Sequence, residues 1–192
     1  AGIPMPLTPI QIIVLELFMD LAASAGFVAE PKEKDIYTRG PRNPQENIIN
    51  RLVVRDILIK GAVLFAGVTA VYFYARGRNL TVTESQTFAF AAWIFGHIIL
   101  AFISRSDKES ILAQAPFTNK VMNIWAAGAI GFLVAAIYIP GLHERFNLAY
   151  ISLGQLASIA VAMMIIVGLL ELRKVVRSGK NKKLATDMAR RS

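Results

Sequence analysis

At 192 residues, 55% hydrophobic and only 18% charged, with a mean hydropathy of +0.49, the chain is too apolar for a water-soluble domain; such domains carry roughly 25% charged residues. It has no cysteine, which excludes a disulfide framework and any thiolate metal site. The net charge of +8 lies in loops and at the C-terminus, and membrane topology accounts for it without nucleic acid as a partner.

Five apolar stretches, about 7–29, 57–75, 86–104, 121–140 and 151–172, each approach the roughly 20 residues a helix needs to cross hydrocarbon. They predict an all-α membrane protein, a bundle of five transmembrane helices embedded in a lipid bilayer. The first stretch carries two carboxylates, Glu16 and Asp20, inside an otherwise apolar run. At about 1.5 Å rise per residue, they lie roughly 12 and 18 Å along a helix starting at Thr8, near the midplane of a hydrocarbon core about 30 Å thick. Four residues apart, they share a helix face. Ionisable groups at that depth are costly and mark ion or proton pathways. A purely structural helix–helix hydrogen bond is the competing reading, and two carboxylates on one face at one depth weigh against it.

Glu30-Pro31 ends the first helix, because the residue before proline disfavours helical geometry. Residues 46–56 place Ile48, Ile49, Leu52 and Val53 at helical spacing beside Arg51 and Arg55, which predicts a short interfacial helix. The second span holds Gly61 and Gly67, which permit close helix approach, and ends in Tyr72-Phe73-Tyr74 at the interface. The third carries His97 mid-span, with a helix–helix hydrogen bond favoured over a site role. The fourth presents a small-residue face of Ala127, Gly131 and Ala135 and ends at Tyr138, before the Pro140-Gly141 turn. In the fifth, Met163-Met164 fills gaps, and Glu171 pairs with a neighbouring cation. A basic tail, 173–192, closes the chain.

Assigning the loop at 30–60, the loop at 105–120 and the tail to the cytoplasm puts 18 of the 21 Lys and Arg residues inside, leaving Arg76, Arg78 and Arg145 outside. The positive-inside rule then predicts the N-terminus outside and the C-terminus cytoplasmic. A chain that enters from outside and does not begin with Met predicts preceding spans. The sequence holds no Gly-rich phosphate loop in a strand–helix context and no Asp-Lys-Thr-Gly, so this stretch alone does not couple ATP to transport. His97 and His143 fall on separate elements, with no nucleophile–base spacing that would support an intramembrane hydrolase.

Pro6-Leu7-Thr8-Pro9-Ile10-Gln11, Glu16-Leu17-Phe18-Met19-Asp20, Glu30-Pro31 and Asp35-Ile36-Tyr37-Thr38-Arg39-Gly40-Pro41-Arg42 resemble the sixth transmembrane helix and following loop of type II P-type cation ATPases, calcium-pump-like. Phe117-Thr118-Asn119-Lys120, Ile137-Tyr138-Ile139-Pro140 and Leu170-Glu171-Leu172-Arg173-Lys174 are similar to their ninth and tenth helices. The resemblance covers essentially the whole chain, in order. It implies helices six to ten of such a pump, preceded by five helices and the cytoplasmic domains that use ATP and Mg. No cofactor is expected on this stretch, which by itself would be inactive.

In calcium pumps of this family the sixth helix reads "N-L-x-x-D", and its Asn and Asp bind the ion in a partly unwound segment. The matching positions are Glu16 and Asp20, the implied ligands of the transported cation, with Ser24, Gln11 and His97 as accessory candidates. Met19 stands where two-ion reticulum pumps have Thr, as in the plasma-membrane pumps' "I-M-D", which argues against a full two-ion set. His97 replaces a carboxylate of the eighth helix. Calcium takes 6–8 oxygen ligands, so the implied site needs others from the preceding helices. Calcium or another divalent cation is the favoured cargo. Buried carboxylates also neutralise by protonation, which keeps a proton or monovalent-cation pump as the alternative. A non-enzymatic five-span subunit or scaffold is the alternative of another class.

Overall fold

The computed structural model describes residues 2–31, 49–106 and 117–189, with 20–22 and 173–189 described by their backbone alone. Every regular element among the described residues is helical: α1 (Pro9–Leu15), a π-helical turn (Glu16–Leu21), α2 (Ala22–Val28), α3 (Arg51–Gly77), α4 (Val82–Ser104), α5 (Lys120–Tyr138), α6 (Leu142–Arg145) and α7 (Leu153–Ala189). Among the described residues five helical stretches are long and apolar enough to cross a membrane, the first being α1 to α2 taken together, Pro9–Val28. The chain is a multi-pass integral membrane protein.

Local chemistry sets the helix starts. Pro9 occupies the first turn of α1, where its missing N–H costs nothing. The Asn50 side chain accepts from the Leu52 and Val53 N–H groups, both at 3.0 Å, and caps α3. Thr81 and Glu84 form a reciprocal capping box on α4. Asn119 caps α5 by accepting from Met122 N–H at 3.0 Å.

Two boundaries differ from the sequence expectation. A separate interfacial helix over 46–56 is not formed: residues 51–56 are the first turns of α3, and 46–48 lie outside the described residues. No Pro or Gly interrupts 51–60, so once Asn50 nucleates the helix nothing stops it. Similarly, α7 passes through the end of the fifth span and on to Ala189; the basic stretch there contains no proline.

The spans alternate in direction, and polar contacts mark the two ends. At one end, Tyr72 donates to the Pro4 carbonyl at 2.8 Å and Gln86 to the Met5 carbonyl at 2.8 Å, pinning the segment before α1 to α3 and α4. The Ala149 N–H donates to the Thr87 hydroxyl at 2.8 Å at the same end. At the other, Glu30, Arg105, Thr118 and Asn119 join the end of the first span to the end of α4 and the start of α5.

The core is built on α4. Phe88 through Ala92 are buried without a break, so this helix is covered on all sides. It packs closely on α3 and α7 because Gly96 leaves room: a Cβ there would come within 2.5 Å of Leu64 Cδ1 and 2.6 Å of Met163 Cε. Met163 also lies against Gly67, where a Cβ would meet its Cε at 3.0 Å. By contrast Gly61, Gly128 and Gly131 have open space in front of them, and Ala127 and Gly131 face outward rather than forming a contact between these spans.

Candidate functional site

The site begins at the start of α1. Gln11 is fully buried, with 0% of its surface exposed. Its Oε1 accepts from Thr8 N–H at 3.0 Å, and its Nε2 donates to the Phe146 and Asn147 carbonyls at 3.2 and 3.1 Å. One end of the amide thus caps the start of α1 and the other holds α1 against the turn before α7. Glu16 is exposed and lies on a different side of the helix. The structure thus separates Gln11 from Glu16.

At Glu16 the helix changes form. Its N–H reaches both the Ile12 and Ile13 carbonyls, and from there Glu16–Leu21 forms a π-helical turn before α geometry resumes at Ala22. In a π turn each N–H pairs five residues back rather than four, which widens the helix; such single turns occur frequently at functional sites. The sequence resemblance implies partial unwinding at this place. The observed departure is milder, a helix widened but still hydrogen-bonded, and it contains both Glu16 and Asp20. Glu-Leu-Phe-Met-Asp-Leu includes no Gly or Pro, the local causes of helix distortion. A tertiary contact meets the turn instead. Trp125, projecting from α5, donates its indole N–H to the Phe18 carbonyl at 2.9 Å, in the middle of the widened turn.

Met19, between the two carboxylates, is buried to 1% exposure and belongs to the bundle core. Glu16, Leu17 and Phe18 are exposed on the other side. Glu16 borders a groove of about 270 Å³ lined also by Leu7, Ile12, Leu15 and Trp93. Trp93 stacks on His97, with ring centroids 6.0 Å apart and planes 29° apart. His97 itself is half-buried on α4 and stands behind Trp93 rather than in the groove lining. Ser24 is exposed on α2, one turn beyond the backbone position of Asp20. Among the described residues no three of His, Cys, Asp and Glu come together as a metal-holding group.

The residues sequence reasoning passed over are Trp125 and the cluster at the opposite end of the first span. Glu30 accepts from Arg105 and from Asn119 Nδ2, and Asn119 Nδ2 also donates to the Gly26 carbonyl at 2.7 Å. Trp125 lies in the second turn of α5, where an interfacial anchor is the ordinary reading, so the sequence held no signal for this bond.

A helical bundle with five membrane-spanning stretches, one of them distorted where it carries two carboxylates, defines a multi-pass integral membrane protein. Comparison with known families narrows this. The chain belongs to the family described as "Cation transporting ATPase, C-terminus", which it matches over residues 4–176. It is 29% identical over 175 residues to the calcium-transporting ATPase type 2C member 2 of Rattus norvegicus, a match covering 89% of this chain and 18% of that protein. It is 25% identical over 150 residues to the human calcium-transporting ATPase type 2C member 1, covering 78% of this chain and 16% of that protein. A calcium-transporting ATPase of Bacillus subtilis is 28% identical over 154 residues, covering 80% of this chain and 17% of that protein. The chain thus spans less than a fifth of the length of these relatives.

Proposed function

We propose that this chain is the C-terminal membrane-spanning part of an ATP-driven calcium pump, in which Glu16 and Asp20 bind the transported cation. The observation that carries the reading is the π-helical turn at Glu16–Leu21, which opens at one intramembrane carboxylate and includes the other. A hard cation such as calcium takes oxygen ligands. In the widened turn each N–H pairs one residue further back, so its carbonyls and the residues that carry the two carboxylates are set differently from those of a regular α-helix. The exposed position of Glu16 in a groove supports completion of the ligand set by parts of the pump that precede this chain, which would also supply the ATP- and Mg-using domains. The names of the relatives favour calcium as cargo. The 18-to-3 division of Lys and Arg between the two ends supports a cytoplasmic C-terminus and an N-terminus on the other side.

The test uses the full-length pump. Asp20→Asn and Glu16→Gln are expected to abolish or greatly weaken calcium-activated phosphorylation while the proteins still reach the membrane. Unchanged calcium dependence in both variants overturns the assignment.

A further inference from the structure

The distortion that carries the candidate site is held from a helix that contributes no carboxylate to it. No Asp or Glu occurs between Lys120 and Tyr138. Yet α5 holds Phe18 twice. Trp125, 9% exposed, donates to the Phe18 carbonyl at 2.9 Å. Seven residues on, Phe132 stacks on the Phe18 ring, with centroids 5.1 Å apart and planes 15° apart. Residues seven apart lie on one helix face, so a single face of α5 takes both the backbone and the side chain of one residue. That residue stands midway between Glu16 and Asp20.

The chemistry of the contact is specific. Indole N–H is a donor with no acceptor capacity, and a backbone carbonyl is the acceptor that a disturbed helix offers. Within a membrane an unsatisfied backbone carbonyl has no water to turn to. The Trp125 bond therefore supports the widened turn against reversion to α geometry. Reversion matters at a distance. In α geometry residues four apart stand on one face, whereas a π turn, closing each backbone ring one residue further on, sets a different rotation between positions 16 and 20.

We propose that Trp125 is a positioning residue for cation binding: its bond to the Phe18 carbonyl holds the turn that sets Glu16 and Asp20 relative to each other. This rests on the reading of those two carboxylates as cation ligands. Trp125 touches no ion and acts through the backbone of the first span. Its loss is felt as weaker binding of calcium rather than as a slower phosphoryl step.

The experiment compares Trp125→Phe, Trp125→Tyr and Asp20→Asn in the full-length pump, with phosphoenzyme measured as calcium is titrated. Removing the indole donor is expected to raise the calcium concentration for half-maximal phosphorylation roughly tenfold, as for loss of one buried hydrogen bond. The phosphoenzyme level at saturating calcium is expected to stay at that of the unmodified pump. A Trp125 variant that reaches this full level with an unshifted half-maximal concentration overturns the proposal. If neither Trp125 variant reaches it at any calcium concentration, Trp125 serves folding, and the proposal is likewise overturned. Asp20→Asn separates the two levels. If it loses calcium activation while the Trp125 variants do not shift, only the positioning role fails. If Asp20→Asn keeps normal calcium dependence, the ligand reading fails and the positioning role with it.

Discussion

Arg105 and Glu30, 75 residues apart in sequence, meet at one end of the bundle with Arg105 Nη2 2.8 Å from Glu30 Oε1. The guanidinium Nε lies 3.0 Å from each carboxylate oxygen, and the same Nη2 donates to the Thr118 hydroxyl at 2.8 Å. The Arg105 side chain is 3% exposed and that of Glu30 23%, so the guanidinium is buried and the carboxylate partly buried. It fastens the exit of the first span to the exit of α4, and Asn119 extends it to the start of α5 by donating to Glu30 at 2.7 Å.

Breaking a buried pair by removing one partner costs about 3–5 kcal/mol, and the partly exposed Glu30 puts this pair at the low end of that range. Arg105→Ala is therefore expected to destabilise the full-length protein by about 3 kcal/mol. Asn119→Ala, which removes the α5 cap and two further hydrogen bonds, is expected to cost about 1–2 kcal/mol. Denaturant titration of the purified protein in detergent checks both. An Arg105→Ala protein as stable as the parent would show that the cluster contributes nothing.

Gln11 separates a structural role from a ligand role. Its amide satisfies the Phe146 and Asn147 carbonyls and the Thr8 N–H. Gln11→Leu is expected to lower stability by about 1–3 kcal/mol, with the half-maximal calcium concentration of the full-length pump unchanged. A shift in calcium affinity at undiminished stability would instead make Gln11 a ligand.

Gly96 tests the packing of the three helices around Met163. A methyl group there meets Leu64 Cδ1 at 2.5 Å and Met163 Cε at 2.6 Å. Both are flexible side-chain ends, so Gly96→Ala is expected to cost about 1–3 kcal/mol rather than to prevent folding. Because the clash is with a named side chain, Gly96→Ala combined with Met163→Ala is expected to be less destabilising than the sum of the single changes. Strict additivity in the denaturation free energies would show that the two residues do not compete for this space.

Much of the architecture was legible in the amino-acid sequence. The five spans follow from length and apolarity, which are local properties, and the observed helices Arg51–Gly77, Val82–Ser104 and Lys120–Tyr138 contain or nearly match the expected stretches. The Asn50 cap and the Thr81–Glu84 capping box, local pairings as well, set where α3 and α4 begin. The departures arose where a helix continues for want of a stop. Nothing in 51–60 breaks a helix, so α3 absorbed the expected interfacial segment, and α7 ran on to Ala189 through the basic stretch.

The candidate site divides along the same line. The sequence alone determined that two carboxylates stand four apart within a membrane-spanning run, because burial depth and helical spacing follow from counting residues. Only the tertiary structure showed that the turn holding those carboxylates is widened and that its Phe18 carbonyl meets the Trp125 donor, 107 residues away along the chain. It alone turned Gln11 inward to the Phe146–Asn147 turn and Glu16 outward to the groove. The physical reason is common to all of these. A backbone carbonyl, an amide or a guanidinium in an apolar medium must find a partner, and which partner it finds depends on what the packed bundle brings within about 3 Å.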